Sequence, residues 1–228
     1  MILLPVKNLS GAKQRLAAEL NQGSRTELAR AMLRDVLDAI AQYGGDDVAL
    51  VTSDTFAIDL ARQNGYDVIR DEANTSETDA IAMATRVCES RGIPTTLVLP
   101  GDIPLIEAAE IRAIYESAPE NGTVLAPSRD KRGSNAVLRR PASLFELRFG
   151  NDSFMPHLSA AIATDTSCVV LSLPGIALDV DTADDLHALA AASGEKRSQR
   201  LARKLGFGKS KENSAVAAYD PTLLLSKS

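Results

Sequence analysis

The chain has 228 residues, 45% of them hydrophobic, enough to bury a full core as one large domain. Its 30 acidic against 25 basic side chains leave a formal charge of -5, which argues against a general nucleic-acid binder, because phosphate-backbone affinity needs a surplus of Lys and Arg. Cys88 and Cys168 are far apart and lack paired spacing, so neither a disulfide framework nor a zinc site is indicated, and a reducing cytoplasm fits.

Met1 to Val6 is a short apolar opening without a basic n-region, and no stretch approaches the ~20 apolar residues that cross a bilayer, so no membrane association is expected. Ile2 to Val6 reads as the first strand. Helices are predicted at Ala12 to Leu20 and Arg25 to Tyr43; in the second, Leu28, Met32, Leu33, Val36, Leu37 and Ile40 recur at helical spacing. Val48 to Val51 is the next strand, Thr55 to Asn64 the helix behind it, and Tyr66 to Ile69 a short strand. Ser76-Glu77-Thr78-Asp79 is a capping box opening a helix that carries Ile81, Met83, Ala84 and Val87. A strand at Thr95 to Leu99 precedes a helix at Ala108 to Ser117. Beyond lie Val124 to Ala126, Asn135 to Leu138, a small helix around Leu144, another from Asp152, and a strand from Cys168 to Leu171. Thr182-Ala183-Asp184-Asp185 caps a final helix that stops at Gly194. Such alternation predicts an α/β fold with a doubly wound, mostly parallel sheet over residues 1–194. Residues 195–228, rich in Lys, Arg, Ser and Ala, are expected to form a polar, basic, flexible tail.

Two apolar runs end in aspartate: Thr95 to Leu99, followed by Pro100-Gly101-Asp102, and Leu178-Asp179-Val180-Asp181. A parallel-strand interior has no water for a carboxylate, so acids placed where the run stops belong at the carboxyl edge of the sheet, where open α/β folds bind ligands. Asp179 and Asp181 are two apart and share one face if the backbone is extended. Asp102, Asp179 and Asp181 together read as a cradle for Mg²⁺. The alternative for Asp181 is helix capping, which Thr182 can supply by itself.

Lys7, Lys13 and Arg15 follow the first strand and straddle Gly11, an arrangement suited to a triphosphate. The pattern is neither GxGxxG nor GxxxxGK, so dehydrogenases and P-loop NTPases are poorly supported. A second basic cluster, Arg129, Lys131, Arg132, Arg139, Arg140 and Arg148, suggests a pocket for an anionic small molecule. Within it, Gly133 and Gly150 allow close backbone approach, while Ser134 and Ser153 offer hydroxyl donors. His157 and His187 are expected to cap or pack on their helices.

Lys7 with Gly-Ala-Lys-Gln-Arg-Leu (11 to 16), Leu-Pro-Gly-Asp-Ile-Pro-Leu (99 to 105), Gly-Ser-Asn-Ala (133 to 136), Phe-Gly-Asn-Asp-Ser-Phe (149 to 154) and Leu-Asp-Val-Asp-Thr (178 to 182) together resemble the 2-phospholactate guanylyltransferase family. The match runs in order from about residue 2 to 193. It implies a nucleotidyltransferase of the glycosyltransferase A-type fold that guanylates a phosphorylated three-carbon acid in coenzyme F-420 biosynthesis, releasing pyrophosphate. The acceptor is 2-phospholactate, phosphoenolpyruvate or 3-phosphoglycerate. The resemblance further implies that Asp102, Asp179 and Asp181 hold Mg²⁺, that Ser134, Gly150 and Ser153 bind the acid, and that Lys7, Lys13 and Arg15 bind the phosphates of GTP. Lys7, Lys13 and Asp102 would carry the chemistry. The implied partners are these two substrates and the next transferase of the pathway; a homodimer is compatible. Where relatives usually carry a Gly-Leu-Asn run, this chain has Asn74-Thr75-Ser76-Glu77-Thr78, and Ser134 stands where Thr is usual. Three other classes are alternatives: a cytidylyl-, adenylyl- or sugar-nucleotidyltransferase of the same fold, a noncatalytic nucleotide-binding module, and a haloacid-dehalogenase-like phosphatase. The last rests on Asp179-Val180-Asp181-Thr182, a motif that opens the domain in those enzymes and closes it here.

Overall fold

The strand Ile2–Val6 (β1) is buried at every position, because it is flanked on both edges by strands and on both faces by helices. The computed structural model describes residues 1–45, 47–73, 75–150 and 152–208. Val48–Thr52 (β2) pairs parallel to one edge of β1 and Thr96–Val98 (β4) to the other. Asp67–Ile69 (β3) lies beyond β2; beyond β4 come Ser134–Arg140 (β6), Gly122–Pro127 (β5) and Ser167–Val170 (β7). The order β3-β2-β1-β4-β6-β5-β7 forms one seven-stranded sheet, in which β6 alone runs against its neighbours. The expectation of a mostly parallel, doubly wound sheet is met.

Side chains of β1 alternate between two cores, as the two-residue period of a strand requires. Ile2, Leu4 and Val6 join Leu33, Val36, Leu37 and Ile40 of helix α1 (Gln22–Tyr43), residues of α2 (Thr55–Gln63), and Ile111 and Ile114 of α4 (Ala108–Glu116). Leu3 joins Ile81, Ala84 and Cys88 of α3 (Glu77–Ser90) and Phe154 of α5 (Phe154–Ile162) on the opposite face. A third cluster ties the two ends of the described chain together. It unites Leu16, Leu20, Leu28 and Met32 with Leu178, Val180, Leu186 and Leu189, the last two on helix α7 (Ala183–Ala191); a short helix α6 (Pro174–Ala177) precedes this segment. Thr182 and Asp185 form a reciprocal capping box at the start of α7.

Three expectations need correction. Ala12 to Leu20 is not a helix: two 3₁₀ turns, Leu9–Gly11 and Gln14–Leu16, are interrupted by Lys13 in the left-handed region at φ 56°. The segment around Leu144 is irregular turn rather than helix, and the Phe145 carbonyl accepts from the buried Arg139. The polar tail does not begin at 195, because Arg197–Lys204 form helix α8, packed on α1 and α7. Residues 209–228 lie outside the described residues.

Helix α8 docks through polar groups, which is why composition misjudged it. The buried Asp35 of α1 accepts from the backbone amides of Arg197 (3.0 Å) and Ser198 (2.8 Å) and from the Ser198 hydroxyl (2.6 Å), satisfying the unpaired donors of the helix start. Gln199 and Arg203 in turn donate to carbonyls at the end of α7, including those of Ala190 and Ala192. Asp35→Ala is expected to lower unfolding stability by about 2–3 kcal/mol, the usual cost of removing a charged acceptor from buried donors, measured by urea titration. Unchanged stability would mean that α8 does not depend on this carboxylate.

Candidate functional site

The chain leaves β1 toward β2, while β4 is laid on the opposite edge of β1. A crevice therefore opens between the loops that follow β1 and β4, the position where open α/β sheets take ligands. Lys7 follows β1 directly. Its ammonium pairs with Asp71, a nearly buried carboxylate beyond β3, at 2.8 Å.

The acid-bearing segments converge on this crevice. Leu178 and Val180 are buried in the third core cluster while Asp179 and Asp181 alternate outward. The Val180 amide donates to the Asp102 carbonyl at 3.1 Å, fastening the loop after β4 to the segment before α7. Between them stands Lys13, whose ammonium lies 2.6 Å from Asp102 Oδ2 and 2.8 Å from Asp181 Oδ1. Burial works against its charge, but the two carboxylates prevail and push its pKa up to about 12. Arg15 adds a longer contact to Asp181 at 3.3 Å. Burial raises the Asp181 pKa, yet Lys13 and Arg15 hold it below the ordinary carboxylate value.

Asp179 is oriented separately. The buried Asn135 donates from one amide nitrogen to Asp179 Oδ1 (3.0 Å) and to the Ile176 carbonyl (2.9 Å). Burial raises the Asp179 pKa despite that hydrogen bond, and Asp102 and Asp181 add to the rise. Among the described residues no three His, Cys, Asp or Glu side chains already converge as a metal cluster. The three aspartates are nonetheless hard oxygen donors lining one cavity, the ligand type Mg²⁺ takes when phosphates and waters complete its shell.

Two cavities meet at this point. One, of about 550 Å³, is lined by Ser134, Gly150, Ser153 and Asp179; the other, of about 490 Å³, by Lys7, Gly11 and Lys13. Arg15, Glu77, Asp102 and Asp181 belong to both and form the wall between them. All nine sequence-predicted site residues thus line one cavity or the other. Gly150 adopts φ 130°, a conformation side-chain-bearing residues rarely take, in the loop opposite the acids. That loop is held by Thr78 of α3, whose hydroxyl accepts from the Phe149 amide at 2.9 Å.

The second basic cluster, by contrast, disperses. Arg139 is buried, donating to the Phe145 carbonyl and to Thr85; burial lowers its pKa to about 10. Arg140 binds the Thr95 hydroxyl and the Pro119 carbonyl, Arg129 pairs with Asp185, and Arg148 lies away from the two cavities. Only Arg132 of this group lines the larger cavity, where it pairs with Asp152 at 2.5 Å.

Sequence reasoning missed two residues of the site. Asn135 was legible only as part of a small polar stretch. Glu77 reads as an ordinary acid in the first turn of a helix, yet it stands in the shared wall. Burial pushes its pKa up to about 7; Asp102 acts in the same direction, against the pull of Lys7 and Lys13.

The family model described as "Guanylyl transferase CofC like" matches residues 1–220. The chain is 35% identical over 201 residues to a phosphoenolpyruvate guanylyltransferase of Rubrobacter xylanophilus, covering 88% of this chain and 98% of the relative. It is 30% identical over 205 residues to a 2-phospho-L-lactate guanylyltransferase of Methanothermobacter thermautotrophicus, covering 90% of each. A crystal structure from Desulfovibrio desulfuricans, assigned to the nucleotide-diphospho-sugar transferases, superposes with a TM-score of 0.72 at 18% identity over 89% of this chain and 93% of that one, a likeness of fold.

The raised Glu77 pKa has a thermodynamic signature. Between its ordinary value of 4.5 and about 7, the folded protein retains a proton that the unfolded chain has released. Without divalent ions, this group should therefore make stability fall as pH rises through that window, and Glu77→Gln should flatten the fall. Urea midpoints recorded across that range test this; parallel profiles for wild type and variant would contradict the burial.

Proposed function

The chain belongs to the guanylyl transferase CofC-like family, and we propose that it transfers GMP from GTP to the phosphate of a small phosphorylated three-carbon acid in coenzyme F-420 biosynthesis. The observation that carries this reading is the pair of cavities sharing a wall of Asp102, Asp181 and Glu77. A reaction joining two phosphate-bearing substrates needs two anion sites with one charged boundary, where the bond is made.

In this reading the nucleotide phosphates lie on the side of Lys7, Gly11, Lys13 and Arg15, and the acid lies against Ser134, Gly150 and Ser153. A phosphate oxygen of the acid attacks the α-phosphorus of GTP in line. The new oxygen–phosphorus bond forms as the bond to the β-phosphate bridge breaks, and pyrophosphate leaves. An acceptor phosphate is already ionised near neutral pH, so no general base is required. The burden on the protein is to bring polyanions together and hold their geometry, which falls to its cations. Lys13 is a mobile point charge on a flexible stem, able to trade an aspartate oxygen for a phosphate oxygen without changing protonation. Asp102, Asp179 and Asp181 would hold Mg²⁺, which when bound neutralises phosphate charge.

The names of the relatives make phosphoenolpyruvate and 2-phospho-L-lactate the acceptors to try first, with 3-phosphoglycerate beside them. The reading also carries a cytoplasmic setting, delivery of the guanylated product to the next transferase of the route, and compatibility with a homodimer.

Incubation with GTP, Mg²⁺ and each acid in turn, with mass detection, should yield a guanylated acid and pyrophosphate. Equal or better product with CTP or ATP would replace guanylyl transfer by another nucleotidyl transfer. Asp102→Asn should lose pyrophosphate release by at least about a hundredfold while unfolding remains cooperative, as expected when a ligand of the ion that would neutralise phosphate charge is removed. Retained turnover would take Asp102 out of the reaction.

A further inference from the structure

His157 lies outside the charged wall, deep behind the acid-binding side of the larger cavity, and is 1% exposed. Its ring stacks edge-on against Phe149, with centroids 5.1 Å apart. Both ring nitrogens are in hydrogen-bond reach of partners. The backbone amide of Arg148 lies 2.9 Å from Nε2, and the Ser134 hydroxyl 2.9 Å from Nδ1.

These two contacts are not interchangeable. A backbone N–H can only donate, so Nε2 must present its lone pair, and in a neutral imidazole the proton then sits on Nδ1. Burial, with Arg139 nearby, lowers the His157 pKa to about 4, so the ring is neutral near pH 7. Nδ1–H therefore donates to Ser134 Oγ. A hydroxyl that accepts this bond must turn its own proton elsewhere. Ser134 Oγ has no other protein partner among the described residues, and Ser134 lines the cavity.

The neighbouring hydroxyl is polarised the same way. Ser153 Oγ accepts from the Ser134 backbone amide at 3.0 Å, and among the described residues it donates to no protein acceptor. Each hydroxyl thus has one lone pair engaged by the protein, and its proton is left for the cavity. Two O–H donors side by side suit a fully ionised phosphate or carboxylate, which accepts and cannot donate.

We propose that His157 is a positioning residue, fixing the Ser134 hydroxyl as a donor toward the anionic head of the acceptor acid through a one-way relay from the Arg148 amide. It touches no substrate. This role rests on the reading that places the acid against Ser134, and it adds a source of specificity: a pocket whose hydroxyls are committed as donors favours an ionised group over a neutral hydroxyl or amide in the same position.

The ring tautomer tests the relay independently of any substrate. Long-range ¹⁵N–¹H correlation spectra of the whole protein at pH 7 should show His157 protonated on Nδ1; protonation on Nε2, or on both nitrogens, overturns the relay. The kinetic arm compares three variants. His157→Leu should raise the acceptor KM about tenfold, the scale of one hydrogen bond to a charged group, with the KM for GTP unchanged and kcat within about a factor of two. His157→Asn, whose amide nitrogen can take the place of Nδ1–H, should recover most of that loss. Ser134→Ala separates the two readings. If it raises the acceptor KM while His157→Leu does not, the role of His157 fails alone. If Ser134→Ala leaves the acceptor KM untouched, the placement of the acid fails and takes the role of His157 with it. Should His157→Leu not fold cooperatively, the spectrum and the His157→Asn kinetics decide.

Discussion

The ammonium of Lys13, held between Asp102 and Asp181, is the interaction on which the arrangement of the site depends. Three segments distant in sequence meet there: the loop after β1, the loop after β4 and the stretch before α7. Two carboxylates brought this close repel each other, and a cation between them turns that repulsion into a link. The position has a conformational cost, since Lys13 reaches it from the left-handed region, typically about 1–2 kcal/mol for a residue with a side chain. The bond from the Val180 amide to the Asp102 carbonyl and the burial of Leu178 and Val180 keep the backbone in register, so the ammonium does not have to hold the loops by charge alone.

Much of this was legible in the chain, for a physical reason. An apolar run that stops at an acid marks both the interior of a sheet and its rim, so Asp102, Asp179 and Asp181 could be placed without coordinates, and the alternation of Leu178 and Val180 with the two aspartates is what the structure has. The helix expected from Ala12 to Leu20 failed because its residues have acceptable helix propensity, while the backbone is set by where the Lys13 side chain must go. Helix α8 failed in the opposite direction. Its Arg and Lys residues looked like solvated tail, yet Arg203 serves the carbonyls at the end of α7, and the first amides of the helix serve Asp35. The arginines from 129 to 148 looked like one basic patch because sequence proximity hides direction. Successive residues of β6 face opposite sides of a sheet, and Arg139 and Arg140 find separate partners. Glu77, Asn135 and His157 carried no local signal, since what distinguishes each is a neighbour contributed by a remote segment.

The two cavities differ in chemistry as well as in position. On the side of Lys7 and Lys13 the wall offers ammonium groups, which are compact charges without strong directional demands. On the side of Ser134 and Ser153 it offers hydroxyls whose direction is set by groups behind them. A triphosphate needs neutralisation over several oxygens. A small acid needs to be oriented so that one oxygen faces the reacting phosphorus. Asn135 follows Ser134 in the strand and holds Asp179 in the lining of the same cavity.

The single reversed strand has a further consequence. In a wholly parallel sheet every residue at the ligand-binding rim comes from a loop leaving a strand, and loops drift as lengths change. Because β6 runs the other way, its first residue, Ser134, stands at the same rim, opposite Pro127 of β5 and on the same strand as Val137, which pairs with Val98 of β4. The spacing from that hydroxyl to the loop after β4 is therefore set by the pitch of neighbouring strands, a ruler that insertions elsewhere in the chain leave untouched.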